Sequence, residues 1–199
     1  MARERGNRIP FEIDAGGWAE GAIRCPSEHF DERPEGAPLD LLVIHNITLP
    51  PGEFGTGCVQ RFFTGRLDLA EHPTFESLRG IRVASHFLIE RTGRVTQFVS
   101  CLKRSWHAGV SLFEGRERCN DFSIGIEVEG TDFVGFEPVQ YEALRALAIA
   151  ILRRYPIRAI AGHSDIAPGR KTDPGPFFDW SRLAVPEILG LGVRFPYLR

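Results

Sequence analysis

Leu39–Asn46 reads L-D-L-L-V-I-H-N, a nearly unbroken apolar run that ends on a histidine and an asparagine. Unbroken apolarity, as opposed to alternation, marks a strand covered on both faces, the usual situation inside a sheet flanked by helices. The stretch therefore predicts a buried strand of the kind found deep in the sheets of α/β domains. It also puts His45 at a strand end, where such sheets open into their sites. A core histidine satisfied by a backbone carbonyl fits the same position. The adjoining Asn46 and the turn-rich loop T-L-P-P-G-E-F-G (Thr48–Gly55) favour a cleft border.

Working outward, Pro138–Tyr155 has helical spacing. Proline suits a first turn, Tyr141, Leu144, Ala148, Ile151 and Tyr155 recur three or four apart, and Arg153 and Arg154 complement the negative end of the dipole. This helix delivers the chain to a second strand, Ile157–Gly162, whose end presents His163. Asn120–Gly130 (N-D-F-S-I-G-I-E-V-E-G) alternates strictly, with Phe122, Ile124, Ile126 and Val128 on one face and Ser123, Gly125, Glu127 and Glu129 on the other. If that second face is solvated, the glutamates are surface groups. If a cleft covers it, one of them is a candidate general base with a pKa raised by burial. Val83–Glu90 and Arg94–Val99 predict a β-hairpin turning at Gly93, with His86 inside its first strand as a hydrogen-bonded structural group. Cys58–Leu67 predicts a short helix stopped at Gly65, the segment to Gly80 a long surface loop, and Trp180–Leu189 a last short helix. Residues 1–38 are rich in Gly, Pro and charge and read as an irregular arm packed on the domain. The division that follows is an arm at 1–17, one domain at 18–190 and a polar tail at 191–199.

The most chemically loaded stretch is Ala161–Pro176, A-G-H-S-D-I-A-P-G-R-K-T-D-P-G-P. It sets His163 directly after an apolar run, then carries Lys171 and Asp173 in a loop stiffened by Pro174 and Pro176. Histidine nitrogen and carboxylate oxygen suit Zn²⁺, and a catalytic zinc site takes about three protein ligands plus an open position. His163 and Asp173 supply two, and His45 is the candidate third. Trp106 and His107, in S-W-H-A-G, stand before a Gly/Ser-rich turn, where they either stack against a sugar or pack.

Composition excludes several classes. A 43% apolar and 25% charged chain is that of an ordinary folded protein, and 15 Phe against one Met point to a core anchored by aromatic rings. A net charge of -2 gives no general attraction to nucleic acid or an anionic membrane. No run approaches the roughly 20 apolar residues that span a bilayer, and no apolar segment follows the polar N-terminus, so the expectation is a cytoplasmic protein. The four cysteines, Cys25, Cys58, Cys101 and Cys119, are scattered without C-x-x-C spacing and read as small buried hydrophobes. Cys119, between Arg118 and Asn120, is an alternative nucleophile.

Taken together, V-I-H-N-I-T-L-P-P-G-E-F-G, H-F-L-I-E-R-T-G, W-H-A-G-V-S, G-R-E-R-C-N-D-F-S-I-G-I-E-V-E-G-T-D and G-H-S-D-I-A-P-G-R-K-T-D-P-G-P run in the order of the zinc amidases of the peptidoglycan-recognition and phage-lysozyme superfamily. Within it the chain resembles the cytoplasmic AmpD type. The resemblance implies a mixed central sheet flanked by helices, with zinc held by His45, His163 and Asp173. It implies hydrolysis of the amide between the lactyl group of anhydro-N-acetylmuramic acid and L-alanine of stem peptides during cell-wall recycling, which lowers the signal inducing β-lactamase in some bacteria. It puts the catalytic glutamate and lysine on Glu127 and Lys171, and substrate contacts on Asn46, Arg82, Trp106, Arg118 and Ala167, the arginines being suited to carboxylates. The partner is then a small soluble muropeptide, met by a monomer. Two rivals stand beside this reading: a non-catalytic muropeptide-binding module on the same fold, and an amidase for polymeric wall, for which an export signal or wall-binding domain is expected.

Overall fold

The computed structural model describes residues 11–198. Residues 1–10 of the expected N-terminal arm, and the last residue of the tail, lie outside the described residues.

The apolar run forms the strand Leu41–Ile47, whose first five residues are buried. It is hydrogen-bonded in parallel to Ala159–Gly162 on one side and to Ser123–Glu129 on the other. Ser123–Glu129 in turn pairs in parallel with Phe87–Ile89, which turns back antiparallel onto Val95–Gln97, and Ile23–Arg24 completes the edge. The result is a six-stranded mixed sheet, as the resemblance implies, with the apolar strand inside it.

Two layers explain why both faces are covered. On one face Leu42, Ile44, Ile124, Ile126 and Val128 pack against Leu144, Leu147, Ala148 and Ile151 of the helix Pro138–Arg154. That helix is also tied down by polar contacts. Gln140, fully buried, accepts from the Glu137 amide and donates to the Ile89 and Glu129 carbonyls at the ends of two strands. On the other face Leu41, Val43, Ala159 and Ala161 pack against Ala108, Phe113, Cys119 and Phe122 from the segment between the hairpin and the alternating strand; Phe122, expected on the face of Ile124, lies before the strand Ser123–Glu129 and so escapes its alternation. Truncating Ile44 or Ile126 to Ala leaves a cavity that costs about 2–5 kcal/mol.

Local differences from the sequence reading have simple causes. The hairpin strands are short, Phe87–Ile89 and Val95–Gln97, and His86 precedes its strand. The helix Cys58–Phe63 ends before Gly65, which takes a positive φ of 69°. The surface loop after it contains two 3₁₀ turns, Leu69–Glu71 and Pro73–Leu78. The expected last helix is split into a turn at Trp180–Arg182 and a helix at Pro186–Leu189, because a proline inside a helix removes an amide donor and clashes with the preceding turn. Beyond it, Arg194 forms a β-bridge with Ala159 at the sheet edge. The irregular segment before the first long strand contributes Arg33, which is half-buried. Its guanidinium donates to the carbonyls of Cys101, Asn120, Asp121 and Ser123, and burial lowers its pKa to about 10.

Candidate active site

Three parallel strands deliver one row of polar side chains. Glu127 is the register partner of His45, and Ile44 is that of Gly162, so His163 follows in the same row one residue on. The row lies at the carboxyl ends of the strands, where sheets of this kind form their sites. His163 opens the short helix His163–Ile166, whose start is capped by Asp165 accepting from the Gly162 amide at 2.7 Å.

The Asp173 loop folds back over this row. His45 Nδ1, His163 Nδ1 and Asp173 Oδ2 lie 3.0 Å from one another in all three pairs. These three residues can hold a metal ion, with nitrogen and oxygen donors of the type zinc takes. The second nitrogen of His163, Nε2, lies 3.0 Å from the Ala108 carbonyl. The Arg170 guanidinium lies 3.3 Å from the same nitrogen, but the carbonyl is nearer and only accepts, which assigns the proton to Nε2 and leaves Nδ1 to present its lone pair. Arg170 donates to that same carbonyl at 2.7 Å. Burial pushes the His45 pKa down to about 4, which keeps its imidazole neutral and able to ligate. Asp173 is held well below the usual carboxylate range: burial alone would raise it, but the close approach of His163 and His45 outweighs that effect.

Glu127 is 7% exposed, with Oε1 3.9 Å from His45 Nδ1 and Oε2 buried without a hydrogen-bond partner. Burial, reinforced by the charge of Asp173, raises its pKa well above the ordinary value, while Lys171 opposes the rise. An unpartnered buried carboxylate beside a ring of metal-type donors is a costly arrangement for stability. It is a natural one for a proton acceptor. Of the two alternatives for the face carrying Glu127 and Glu129, the covered one is realised, yet the two glutamates differ. Glu129 is fully engaged, accepting from the Gly55 amide at 2.7 Å and the Arg91 amide at 3.0 Å.

The other expected residues fall into three places. Asn46 and Lys171 border a cleft of about 730 Å³ with Asp173, Asp132 and Phe133. Asn46 spends both amide hydrogens inward, on Asp132 Oδ1 and the Pro174 carbonyl, and so keeps its own carbonyl oxygen as an acceptor. Arg118 and Ala167 line a neighbouring groove of about 610 Å³ with Val110 and Arg170, and Arg170 borders both spaces. Arg118 takes a left-handed backbone (φ 61°), uncommon for a side chain of its size, and pairs with Asp121 at 3.3 Å. Arg82 and Trp106 line neither groove. The Arg82 guanidinium lies 5.8 Å from the centroid of the Trp106 ring, which itself stacks on His29. Cys119 is fully buried and its thiol pKa is raised by burial, which removes it as a nucleophile.

Two residues bearing on the site are missed by sequence reasoning. His107, left open above between stacking and packing, lies against His45, with Nδ1 2.9 Å from His45 Nε2. Asn120 clamps the neighbouring backbone, its Oδ1 accepting from the His107 and Ala108 amides at 3.1 and 2.7 Å. The local signal for His107 is a polar residue beside a glycine-containing turn, and for Asn120 a polar residue ahead of a strand, and such signals are common.

Comparison with known proteins agrees with this geometry. Residues 35–176 match the N-acetylmuramoyl-L-alanine amidase family. The 1,6-anhydro-N-acetylmuramyl-L-alanine amidase AmpD of Escherichia coli K12 is 53% identical over 171 residues, which is 85% of this chain and 93% of that protein. A crystal structure of a selenomethionine AmpD derivative superposes with a TM-score of 0.83 at 51% identity, covering 86% of this chain and 96% of that one. The amidase AmiD from E. coli, solved with the substrate anhydro-N-acetylmuramic acid-L-Ala-D-γ-Glu-L-Lys, superposes with a TM-score of 0.54 at 28% identity over 94% of this chain and 67% of that one. Sequence and fold agree along most of the chain, and the protein belongs to the N-acetylmuramoyl-L-alanine amidase family of enzymes.

Proposed function

We propose that this amidase is zinc-dependent and acts in the cytoplasm on soluble anhydromuropeptides, cleaving the amide between the lactyl group of 1,6-anhydro-N-acetylmuramic acid and L-alanine of the stem peptide. The observation that carries the reading is the meeting of three metal-type donor atoms at mutual distances of 3.0 Å beside the unpartnered carboxylate of Glu127. The likeness to AmpD proteins over most of both chains supports the substrate class.

His45, His163 and Asp173 are the residues that would hold zinc. Two neutral imidazoles with bare Nδ1 atoms and one ionised carboxylate fit that ion, and without a cation three lone pairs face one another at close range. Bound there, zinc supplies Lewis-acid polarisation of the scissile carbonyl and acidification of water. Glu127 takes the proton of the attacking water and returns it to the leaving nitrogen, a role that suits a buried carboxylate whose pKa is raised by burial. The exposed Lys171 at the cleft border stabilises the negative charge that develops on the carbonyl oxygen. Asn46 offers its carbonyl to a substrate N–H and Arg118 its guanidinium to a peptide carboxylate, while Arg82, outside both grooves, is within reach only of a substrate that extends beyond them. Trp106 presents an aromatic surface, and Ala167 gives the groove beside Arg118 an apolar floor.

The test is hydrolysis of anhydromuramoyl-tripeptide by the purified protein, followed by mass spectrometry, with zinc and with a chelator. Free L-alanyl peptide with zinc and intact substrate with chelator are expected. Intact substrate in the presence of zinc overturns the reading. Isolated polymeric wall assayed in parallel separates the recycling role from wall degradation, since release from polymer at a comparable rate would assign the enzyme to the wall.

A further inference from the structure

His107 sits between two other histidines, its ring edge-on to His45 (centroids 5.0 Å apart) and to His86 (5.6 Å). Both of its nitrogens are used: Nδ1 is 2.9 Å from His45 Nε2, and Nε2 is 3.1 Å from Ser123 Oγ. The direction of these bonds follows from their far end. Ser123 Oγ lies 2.6 Å from the Cys119 carbonyl, a separation that a hydroxyl and a carbonyl sustain only if the hydroxyl donates. The serine proton is committed there, so Oγ accepts from His107 Nε2–H. His107 Nδ1 is then bare and accepts from His45 Nε2–H. His45 in consequence has a bare Nδ1, the atom 3.0 Å from both His163 Nδ1 and Asp173 Oδ2.

We propose that His107 is a positioning residue which, through a relay running from His45 to His107 to Ser123 to the Cys119 carbonyl, locks His45 in the tautomer and orientation that present Nδ1 to the metal. The proposal rests on the zinc reading above. It gives one dipeptide two parallel tasks, because the His107 side chain orients His45 while the carbonyl of the next residue, Ala108, orients His163. Asn120 fixes both by accepting from the two amides of that dipeptide.

The alternating strand supplies the room for this. A Cβ added at Gly125 would stand 2.5 Å from His107 Nδ1 and 2.7 Å from Ser85 Oγ, closer than real contacts allow. Along one face of a single strand, Ser123 ends the relay, Gly125 leaves the slot for the imidazole, and Glu127 provides the carboxylate. The spacing of two that sets these residues on one face therefore also sets their order relative to the row of donors.

Partners that orient a metal-binding histidine typically contribute about 10- to 100-fold in metal affinity. The experiment measures zinc affinity by competition with a chromogenic chelator, and the visible spectrum of the cobalt-loaded protein, for wild type, His107→Phe, His107→Gln and Ser123→Ala. The thermal midpoint of each metal-free protein serves as the folding control. His107→Phe is expected to bind zinc about 10- to 100-fold more weakly, with an altered cobalt spectrum. His107→Gln is expected to recover most of the loss, since its amide accepts with one end and donates with the other; a purely packing role would not be rescued by an amide. Ser123→Ala is expected to weaken binding several-fold, and it stands in if His107→Phe fails to fold. Wild-type affinity and spectrum in both His107→Phe and Ser123→Ala would overturn the relay alone. Failure of wild type to bind zinc stoichiometrically, or unchanged affinity in Asp173→Ala, would overturn the metal reading and the relay with it.

Discussion

Glu127 and His45 are register partners on adjacent parallel strands, side by side on one face, with Glu127 Oε1 3.9 Å from His45 Nδ1. That separation is too long for a hydrogen bond. It leaves the carboxylate next to the donor triangle without belonging to it.

A division of labour follows from this spacing. Asp173→Ala removes one of three converging donors and is expected to abolish both stoichiometric zinc and activity. Glu127→Gln keeps all three donors and is expected to retain zinc while turnover falls about 10²- to 10⁴-fold. Because Glu127 is buried with an unpartnered oxygen, its neutral replacement is not expected to lower the unfolding midpoint, as is common where activity maintains a destabilising group. Zinc analysis and turnover on the same samples check this, and loss of zinc in Glu127→Gln would contradict it.

Lys171 and Arg118 are both exposed but border different spaces, so their loss should separate kinetically. Lys171→Met is expected to lower kcat about 10²- to 10³-fold, the usual cost of removing one donor to a developing oxyanion. Arg118→Ala is expected to raise KM for the tripeptide with little change in kcat, because a carboxylate contact remote from the reacting carbonyl binds ground and transition states alike. Unchanged KM in Arg118→Ala rules out that contact.

The sheet and the three donor residues were legible because each depends on local pattern. Unbroken apolarity marks the strand ending at His45, and the Pro-stiffened loop marks Asp173. The row joining Glu127, His45 and His163 was not legible, since it depends on the register between three strands that no single strand's pattern encodes. The same holds for His107, whose partners are a serine 16 residues later and a histidine 62 residues earlier. The alternation of Asn120–Gly130 predicted a face with space above it but not what fills that space. The apolar spacing of the last helix carries through Pro186, where backbone sterics override the pattern and shorten it.

Glu129 separates the two glutamates further. It is 4% exposed and ties the loop after the His45 strand to the hairpin turn, through the Gly55 and Arg91 amides. Glu129→Gln replaces one acceptor with a donor facing a donor, which is expected to cost about 1–3 kcal/mol. Pro51 and Gly52 of the same loop line the cleft, so KM should also rise. Urea midpoints and steady-state kinetics check this, and a wild-type midpoint in Glu129→Gln would exclude the anchoring role.

Metal-free protein should lose stability as pH falls below about 6.5, and the sign can be worked out group by group. His86 is fully buried, accepts from the Gly125 amide at Nδ1, and directs Nε2 toward the Lys103 carbonyl with the Arg33 guanidinium 3.2 Å away. Burial, and then the Arg33 charge, lower its pKa from 6.5 to about 3. Burial likewise lowers His45 to about 4 and puts His107 well below its ordinary value. Each of the three binds a proton in the unfolded chain in a range where it stays neutral in the fold. Unfolding therefore takes up protons, and stability declines as pH drops from 6.5 toward those lower values, by up to about 1.4 kcal/mol per pH unit for each group. Glu127 acts in the opposite sense, because its raised pKa lets the folded state hold a proton that the unfolded chain releases. Below pH 6.5, where all three histidines titrate in the unfolded chain, three groups against one leave a net decline. Urea midpoints in chelator at pH 7.5, 6.5 and 5.5 are expected to change little over the first step and to fall over the second, and a midpoint that stays level or rises from pH 6.5 to 5.5 would show that these histidines are not held neutral by the fold.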